Sequence, residues 1–310
     1  MHNTLDLSII LVNWNSLALT QDALESLRSH TEGVSYEVIV IDNGSTLDQS
    51  CVELPSRFPW ITFVRNSSNL GFGKANNIGI QKSRGRYVLL LNNDTVQTEN
   101  AFGKSVQYMD SYPDVGVLGI LHYNADGAKT VQTSAFFYPN PWREVLSLLT
   151  FNSQWSAAQT PAPIAGEQNV DWVCGSFFLM RRECLSQVGV LDERFFIYDE
   201  DIDWCRRAIA AGWIVRFWPV AAMIHVGASA RPFMKDKTFV HFRSRLSYYR
   251  KHHSMLAAAA FYLAMLFRLT LSVLGVSVRF MLRTATHHDI QVRYSRFMQF
   301  LTLRSGKLGG

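Results

Sequence analysis

Five short apolar runs, separated by stretches with helical character, constrain the fold of this chain more than any other feature. Each run is six or seven residues long and is bounded by polar residues. Runs of this length that are rich in β-branched residues predict buried strands. The runs are Leu7–Asn13, Tyr36–Asp42, Ile61–Asn66, Tyr87–Asn92 and Val115–Leu121.

The stretches between these runs predict helices at about Thr20–His30, Gly73–Ser83 and Thr98–Tyr112. Strands that alternate with helices form βαβ units, in which the strands are parallel. We therefore predict an α/β fold with a doubly wound, mostly parallel sheet and flanking helices. Residues 123–168 are rich in Pro, Ser, Ala and Gln, and they predict a long loop or a partly helical insertion.

Charge is divided unevenly along the chain, although the formal total is +5. Residues 1–230 hold 16 Lys and Arg against 23 Asp and Glu, a net charge of −7, whereas residues 231–310 hold 14 against 2, a net charge of +12. A basic region of this kind faces either nucleic acid or an anionic membrane. Because it encloses the apolar segment 255–278, we predict an anionic membrane surface as its partner and no nucleic acid.

The apolar part of this basic region differs from a simple spanning helix. Met255–Phe267 is apolar all round, but Arg268 interrupts it before the roughly 20 residues that a span requires. Polar or small residues then recur at spacings of four, three, four and four along one helix face. This predicts an interfacial or re-entrant helix, with a tilted span or packing on the protein core as alternatives. The recurring residues are Arg268, Ser272, Gly275, Arg279 and Arg283.

Several predicted strands end in clusters of polar residues. In an open parallel sheet, ligands bind outside the carboxyl ends of the strands. A glycine-containing loop before a helix also presents free backbone N–H groups that can face phosphate. Each cluster alone is typical of a turn, but four of them at one sheet edge predict a binding site. The clusters are Asn13-Trp14-Asn15, Asp42-Asn43-Gly44-Ser45, Asn69–Asn77 and Asn92-Asn93-Asp94.

A cluster of acids opens the segment Tyr198–Trp213, whose apolar spacing predicts an amphipathic helix that stops at Gly212. Acids at a helix N-terminus are favoured by the helix dipole, so capping is one interpretation. Four acids exceed what capping requires, which leaves a functional role open. They are Asp199, Glu200, Asp201 and Asp203.

Seven motifs, taken together in their order and spacing, resemble a known family. They are VNWN, IDNGSTLD, NLGFGKANNIG, LLNNDT, CGSFFLMRRE, DERFFIYDEDIDWCRR and IHVGASA. The sequence resembles family-2 glycosyltransferases of the GT-A fold, in the bacterial branch of rhamnosyltransferases for O-antigen and exopolysaccharide assembly. The resemblance covers about Leu7 to His253. It implies a GT-A catalytic domain over residues 1–230, with a nucleotide-sugar half of about 1–122 and an acceptor half of about 169–230, and then a basic helical tail over 231–310.

The resemblance implies an inverting transfer of a sugar from a nucleotide-diphosphate donor to the hydroxyl of a lipid-linked or polysaccharide acceptor, with Mg²⁺ or Mn²⁺ as cofactor. L-Rhamnose from dTDP-rhamnose is the first expectation and a uridine-diphosphate sugar the second. A non-catalytic nucleotide-sugar-binding protein and a sugar nucleotidyltransferase are the alternatives. The presence of Asp94 and Asp201 argues against the first alternative, and the lack of a Gly-rich basic triphosphate loop near the N-terminus argues against the second.

On the donor side, the resemblance implies that Asp42 hydrogen-bonds the base or ribose and that Asn92 contacts ribose or diphosphate. Asp94 occupies the place of the metal-binding acid in the family's Asp-x-Asp element, where Asn92 replaces the first Asp. His225 is implied as a second metal ligand, with a packed or surface role as the alternative. Oxygen ligands suit these hard cations. The other implied donor-binding residues are Val12, Asn13, Trp14, Asn43, Asn69, Gly71, Phe72, Asn76 and Asn93, with a core role as the alternative for Phe72.

On the acceptor side, Glu200-Asp201 matches the family's Glu-Asp pair. Asp201 is therefore implied as the base that deprotonates the acceptor hydroxyl, a role that contributes about 10²–10⁴-fold to rate. Glu200 is expected to bind the acceptor and Asp203 to support the site. Gly175 and Ser176 are predicted to bind the acceptor, because glycine admits a substrate close to the backbone.

The sequence also bears on location. No secretory signal is visible at the N-terminus, and the four cysteines form no CxxC pair or metal spacing. We therefore expect a peripheral or monotopic protein at the cytoplasmic face of the inner (plasma) membrane, where it would meet a lipid-linked acceptor.

Overall fold

The computed structural model describes residues 5–150, 160–163, 166–227 and 237–302. The chain divides into two compact units. The first consists of Met1–Phe137 and Pro161–Phe233, and the second of Tyr138–Thr160 and Met234–Gly310. The domain boundary predicted between residues 230 and 231 lies outside the described residues, as does the end of the IHVGASA motif.

The first unit is built on a large mixed sheet. Its main path has the strand order β10-β13-β6-β12-β4-β1-β2-β3, while β5 pairs with β13 and β7 pairs with β6. A second sheet has the order β11-β8-β9. The strands are β1 (Leu7–Asn13), β2 (Tyr36–Asp42), β3 (Thr62–Arg65), β4 (Tyr87–Asn92), β5 (Thr95–Val96), β6 (Val115–Tyr123), β7 (Val131–Gln132), β8 (Ala135–Phe137), β9 (Thr160–Pro161), β10 (Gln168–Asn169), β11 (Trp172–Val173), β12 (Phe177–Arg181) and β13 (Ile214–His225).

Most strands of the main path run in one direction. The strands β3, β2, β1 and β4 are parallel to one another, and β6 is parallel to β13. Strand β12 is antiparallel to both of its neighbours, β4 and β6, so those two strands share a direction. Six of the eight strands on this path therefore run the same way. This confirms the predicted mostly parallel α/β sheet.

Among the residues that the structure describes, six helices belong to the first unit. Helix α3 packs on β1 and β2, whereas α4 packs on β6 and β13. The α3 contact is close because Gly79 has no side chain: a Cβ there would lie 2.5 Å from the Ile10 side chain. The helices are α1 (Leu17–His30), α2 (Ser50–Arg57), α3 (Phe72–Lys82), α4 (Ala101–Ser111), α6 (Arg182–Val188) and α7 (Glu200–Ala210).

The structure differs from the sequence prediction mainly at element ends and at β12. The helix predicted from Thr98 begins at Ala101, because the Asn100 side chain accepts a hydrogen bond from the Gly103 N–H and caps it. Helix α2 was not predicted. Strand β12 was not predicted either: all five of its residues are buried, so it lacks the alternation that marks a half-exposed strand.

The second unit is helical. It consists of α5 (Pro141–Leu149), α8 (Lys237–His252), α9 (Met255–Met281) and α10 (His287–Thr302). Helix α5 lies inside the segment predicted as a loop or partly helical insertion, and it packs on α9. Buried Glu144 of α5 accepts hydrogen bonds from Tyr249 and Arg245 of α8. A segment far upstream in the chain therefore completes the C-terminal helical unit.

Helix α9 is continuous through Arg268 and is 27 residues long. In the described part of the chain it is the one helix that is long and apolar enough to cross a membrane, by length and composition. The predicted C-terminal helical tail is thus confirmed as helix, and its attachment to a membrane remains a prediction.

Candidate functional site

The carboxyl ends of β1, β2 and β4 carry a buried network of polar side chains. Asn13 at the end of β1 is paired in register with Asp42 at the end of β2. The Asn13 amide donates to Asp42 Oδ1 at 2.9 Å, and Asn13 Oδ1 accepts from the Thr20 hydroxyl at 2.8 Å. Asn93, after β4, donates to the same hydroxyl at 2.8 Å. Three strand ends are thereby held together before any ligand is bound.

Asp42 is fully buried within this network. Its second oxygen, Oδ2, accepts from the Ser45 N–H at 3.3 Å and lies 3.8 Å from Arg65 Nε. The residue predicted to bind the nucleoside therefore also fixes the loop that follows β2.

A second network surrounds Asn43, one residue further along. Asn43 Oδ1 accepts from the Asn66 side-chain amide at 3.0 Å and from the Leu70 N–H at 3.1 Å. Its amide donates to Asn69 Oδ1 at 2.9 Å, and Asn69 Oδ1 also accepts from the Gly71 N–H at 2.9 Å. Asn43 and Asn69 thus hold the glycine-containing loop against the end of β2.

Gly71 is required by its backbone geometry. It has φ +90°, a conformation that favours glycine, and a Cβ there would lie 2.6 Å from the Phe196 carbonyl oxygen. The next N–H, of Phe72, donates to that same oxygen at 2.6 Å. The predicted donor-side loop is therefore joined directly to the segment that leads into α7.

Asp94 and His225 lie side by side at the end of β4. Strand β13 pairs with β5 so that His225 is opposite Thr95, and the Val226 N–H donates to the Asp94 carbonyl at 2.9 Å. Asp94 Oδ1 is 3.3 Å from His225 Nε2, and Asn92 Nδ2 is also 3.3 Å from that nitrogen. Both side chains are largely buried, Asp94 more so than His225. The structure thus brings together the two residues predicted as metal ligands.

Gln132, at the end of β7, lies against the other side of the His225 ring. Its Oε1 is 2.5 Å from His225 Nδ1. Because a carboxamide oxygen only accepts, this contact favours the tautomer whose proton is on Nδ1, with Nε2 on the Asp94 side. This is the tautomer that a metal-binding histidine needs.

His122 and Ser176 form a neighbouring buried pair. Ser176 Oγ is 3.2 Å from His122 Nδ1, and the His122 ring lies edge-on to that of His225, 5.8 Å between centroids. Burial lowers the pKa of His122 to about 3, with a smaller contribution from His225. His122 is therefore neutral at physiological pH.

The acids at the start of α7 are held by an unusual turn. Tyr198 and Asp199 have φ values of +69° and +66°, a left-handed conformation that is uncommon for residues other than glycine. Glu200 and Asp201 follow as the first helical residues. Asp201 Oδ2 accepts from the Gly175 N–H at 3.0 Å, and its Oδ1 accepts from the Ile202 N–H at 2.9 Å.

Glu200 and Asp201 differ in exposure, and burial raises the pKa of both. Burial raises the pKa of Asp201 to about 6. The hydrogen bond from the Gly175 N–H lowers this pKa in part, and the nearby Asp199 raises it. Burial, reinforced by the Asp201 charge, raises the pKa of Glu200 well above its usual range. Glu200 Oε2 is buried without a hydrogen-bond partner among the described residues, whereas Asp201 is partly exposed. With its pKa near 6, the Asp201 carboxylate suits a proton acceptor at neutral pH.

Asp203 has a different environment. It is fully buried, and its Oδ2 accepts from Arg207 Nε at 3.0 Å. Arg207 also donates to the Val188 carbonyl at 2.7 Å and the Val190 carbonyl at 2.9 Å. Asp203 therefore anchors α7 to the end of α6, which fits the supporting role predicted for it.

Gly175 and Ser176 connect Asp201, at the start of α7, to Asn92, at the end of β4. The Gly175 N–H donates to Asp201, and the Ser176 carbonyl accepts from the Asn92 N–H at 3.1 Å. Two consecutive residues thus join the start of α7 to the end of β4. In addition, a Cβ on Gly175 would lie 3.8 Å from the Phe72 ring. The predicted acceptor-binding and donor-binding residues therefore meet at this segment.

The donor atoms near Asp94 fit a divalent cation that is completed by a ligand. Among the described residues, no group of three or more His, Cys, Asp and Glu side chains has the arrangement of a full metal site. Asp94 and His225 supply one oxygen and one nitrogen, and the Gln132 contact is made by the other ring nitrogen, Nδ1. Mg²⁺ and Mn²⁺ take further oxygens from diphosphate and water, so two protein ligands are compatible with either ion.

The remaining predicted donor residues are partly engaged elsewhere. Val12 is paired in register with Asn92 across the sheet, and Trp14 is partly exposed just beyond the strand. Asn76 is buried, and its amide donates to the Phe72 carbonyl at 3.0 Å, within α3. Asn76 thus stiffens the first turn of α3, and a contact of its side chain with a donor remains a prediction.

Several residues around the site were not singled out from the sequence. Asn15 lies in the motif VNWN and Ser45 in IDNGSTLD, and the density of polar residues in these motifs was the available signal. Ser45 Oγ accepts from the Asn15 N–H at 2.9 Å and from the Asn13 amide at 3.1 Å. Gln132 and His122 carry no local signal, because only the pairing of β6 with β7 brings them together.

Comparison with known proteins gives the same assignment as the motifs. Residues 8–189 match the model of glycosyl transferase family 2. N-acetylglucosaminyl-diphospho-decaprenol L-rhamnosyltransferase of Mycobacterium tuberculosis is 29% identical over 235 residues, which cover 71% of this chain and 75% of that protein. Rhamnosyltransferase WbbL of Escherichia coli is 27% identical over 230 residues, which cover 70% of this chain and 82% of that protein.

The fold has solved counterparts as well. The mannosyltransferase PcManGT of Pyrobaculum calidifontis, solved with GDP-Man and Mn²⁺, aligns with a TM-score of 0.53 at 14% identity, over 98% of this chain and 82% of that one. Identity this low shows a shared fold alone, and the fold is that of GT-A glycosyltransferases. The predicted family is confirmed: the chain is a glycosyltransferase that belongs to glycosyl transferase family 2.

Proposed function

We propose that this glycosyltransferase moves L-rhamnose from dTDP-rhamnose to a hydroxyl of a lipid-linked sugar, with inversion at the anomeric carbon. The names of the two curated relatives support the sugar, and the decaprenyl-diphosphate-linked N-acetylglucosamine in the name of the mycobacterial relative supports the acceptor class. Each matches about 70% of the chain. The sheet edge, α7 and the segment between them supply the groups that this reaction needs.

One observation carries the proposal. A carboxylate with a pKa raised to about 6, Asp201, is joined through Gly175 and Ser176 to the strand end that holds Asn92. An inverting transfer needs a base for the acceptor and a separate centre for the leaving diphosphate. A short, hydrogen-bonded link between two such centres is what a single displacement requires.

In the proposed reaction, Asp201 takes the proton of the acceptor hydroxyl as its oxygen attacks the anomeric carbon. The attack comes from the face opposite the leaving diphosphate, so the configuration inverts in one step and no covalent intermediate forms. Glu200, whose pKa burial raises well above its usual range, would donate a hydrogen bond to the acceptor when protonated, and Ser176 would also contact the acceptor. The Gly175 N–H keeps the Asp201 carboxylate oriented.

The donor would lie over the ends of β1, β2 and β4. Asp42 and the backbone near Val12 and Trp14 would contact the nucleoside, and Asn92 the ribose or diphosphate. Asn43, Asn69 and Gly71 would shape the wall of this pocket through the network around Asn43. Because these groups are already hydrogen-bonded to one another, little ordering would be needed on donor binding.

Asp94 and His225 would hold a Mg²⁺ or Mn²⁺ ion, as their donor atoms allow. Such an ion offsets negative charge that develops on a departing diphosphate. PcManGT, a fold relative, was solved with Mn²⁺.

The second unit would bring the enzyme to an anionic membrane, at its cytoplasmic face. The composition of α9 and the excess of basic residues over 231–310 support this. A polyprenyl-linked acceptor is itself confined to the bilayer.

The direct test is a panel of donors. Purified protein is incubated with dTDP-rhamnose, UDP-N-acetylglucosamine, UDP-galactose or GDP-mannose, a polyprenyl-diphosphate-linked N-acetylglucosamine and Mg²⁺ or Mn²⁺. Mass spectrometry of the lipid should reveal an added deoxyhexose with dTDP-rhamnose only. Transfer from another donor would reject the sugar assignment, and failure of transfer from all of them would reject the donor and acceptor assignment together.

A further inference from the structure

Helix α9 exposes a continuous apolar stripe. Six large apolar residues recur at spacings of four, four, three, four and three, which places them on one face of the helix. All six are exposed. They are Leu263, Phe267, Leu271, Leu274, Val278 and Met281.

Two polar residues in the middle of α9, Arg268 and Ser272, lie on the side that contacts protein. Arg268 donates to the Leu148 carbonyl at the end of α5, at 3.5 Å. Ser272 accepts from Arg293 of α10 at 3.1 Å. A helix on the surface of a soluble protein buries its apolar face and exposes its polar one. Helix α9 buries apolar residues but exposes an apolar stripe as well, so its outer face suits an apolar environment.

Helix α5 adds a second exposed apolar face. Trp142, Leu146 and Leu149 follow one another at spacings of four and three, and all three are exposed. The other side of α5 is packed, with Leu148 and Glu144 buried. Tryptophan and leucine on one helix face, with Arg143 beside them, are typical of helices that lie at the surface of a bilayer.

We propose that α5 and α9 together form a lipid-docking surface that lies along an anionic bilayer, with Trp142, Leu146 and Leu149 inserted beside the apolar stripe of α9. The inference rests on the proposed function in taking a membrane as the partner. It adds α5 as a second membrane element, remote in sequence from the basic tail, and it specifies that α9 lies along the bilayer.

Charge favours lipid as the occupant of this surface. Residues 231–310 carry 14 Lys and Arg against 2 Asp and Glu, so a second copy of the chain would bring like charge to like. Anionic headgroups attract such a region, and its apolar residues then enter the acyl boundary. Charge and apolar exposure thus select the same partner.

The link between α5 and α9 favours a helix that lies flat. Helix α5 has nine residues and is only about 13 Å long, too short to cross about 30 Å of hydrocarbon. It is tied to the middle of α9 through Arg268. A spanning α9 would carry this arginine and the end of α5 towards the bilayer centre, where arginine is costly. With α9 flat, both remain at the interface.

The experiment compares two substitutions at equally exposed positions in the full-length protein. Leu146 in α5 and Val52 in α2 are each 61% exposed, so Leu146→Glu is tested against Val52→Glu as control. Flotation uses vesicles of phosphatidylglycerol and phosphatidylethanolamine, with phosphatidylcholine vesicles for comparison. We expect the bound fraction of Leu146→Glu to fall at least about fivefold while Val52→Glu floats like the wild type. Equal flotation of Leu146→Glu and wild type, or no flotation of the wild type, would overturn the proposal.

A second measurement needs no variant. Amide hydrogen exchange of residues 141–149 in the wild type should slow when the anionic vesicles are added. Unchanged exchange in vesicle-bound protein would show that α5 stays out of the lipid. A change in oligomeric state of Leu146→Glu, with flotation unaffected, would assign the surface to a second copy instead.

The docking surface and the proposed reaction can fail independently. Transfer to a short-chain, water-soluble acceptor reports on the catalytic residues alone, and it should be the same for wild type and Leu146→Glu. If that transfer is absent from both proteins while flotation behaves as expected, the proposed function is wrong and the docking surface stands.

Discussion

Replacing Asp201 with asparagine separates catalysis from binding and folding. The substitution removes the proposed base, so turnover should fall by about 10²-fold or more. A 10²-fold loss corresponds to about 2.7 kcal/mol in the activation barrier. The carboxylate accepts two N–H groups, from Gly175 and Ile202, and an amide oxygen can replace only one of these acceptors. The cost to folding stability is therefore about 1 kcal/mol, smaller than the catalytic effect.

The assay measures kcat by transfer of labelled sugar and donor affinity by calorimetry, for Asp201→Asn and for Asp203→Asn as the matched control. Asp203 is buried against Arg207, so its substitution should lower the melting temperature more than Asp201→Asn does and kcat less. Donor affinity should stay unchanged in Asp201→Asn. An Asp201→Asn enzyme that keeps more than about a tenth of wild-type kcat, with Asp203→Asn the slower of the two, would refute the assignment of the base.

Three further predictions concern the same site. Because burial raises the pKa of Asp201 to about 6, its carboxylate is lost as pH falls through that value, so kcat/KM should be level above pH 6 and drop about tenfold per pH unit well below it. A level profile down to pH 5 would exclude Asp201 as the base. Gly71→Ala should destabilise the fold by at least about 1–3 kcal/mol, measured by denaturant unfolding, since alanine at this positive φ is strained; an unchanged midpoint would contradict the backbone argument. Gln132→Met should weaken Mn²⁺ binding about 10–100-fold in electron paramagnetic resonance titrations with donor diphosphate present. The control Gln187→Met, which removes a similar acceptor from the ring N–H of Trp213, should leave Mn²⁺ binding unchanged. Equal Mn²⁺ binding by the two variants would show that Gln132 does not orient His225.

The sheet and its polar edge were predictable because both follow from short-range patterns. The strand runs that end at Asn13, Asp42 and Asn92 carry their signal in a few consecutive residues, and parallel strands place such ends at one edge. The acids of α7 were equally visible. Their burial, however, follows from tertiary packing, so the raised pKa values of Asp201 and Glu200 required the structure.

Other features depend on contacts between residues far apart in the chain. Gln132 reaches His225 only because β6, β7 and β13 are neighbours, and nothing near either residue in sequence indicates this. Helix α5 has a clear start in Asn140 and Pro141, but its place beside α9 comes from long-range packing.

This packing also bears on how the C-terminal region should be tested. Truncation after about His253 would remove both α9 and α10. The structure shows that α5 and α8 pack on α9, so truncation would strip both helices of their partner. Point substitutions such as Leu146→Glu preserve that packing and are the sharper test.

The central claim, a single displacement by a base at Asp201, is tested most directly by the configuration of the product. The protein is incubated with dTDP-rhamnose labelled with ¹³C at the anomeric carbon and a short-chain lipid-linked acceptor, and the new linkage is examined by NMR. The account predicts a single product whose anomeric configuration is opposite to that of the donor, formed at least about 10²-fold more slowly when Asp201 is replaced by asparagine. A product that retains the configuration of the donor, or equal product formation by the Asp201→Asn enzyme, would contradict it.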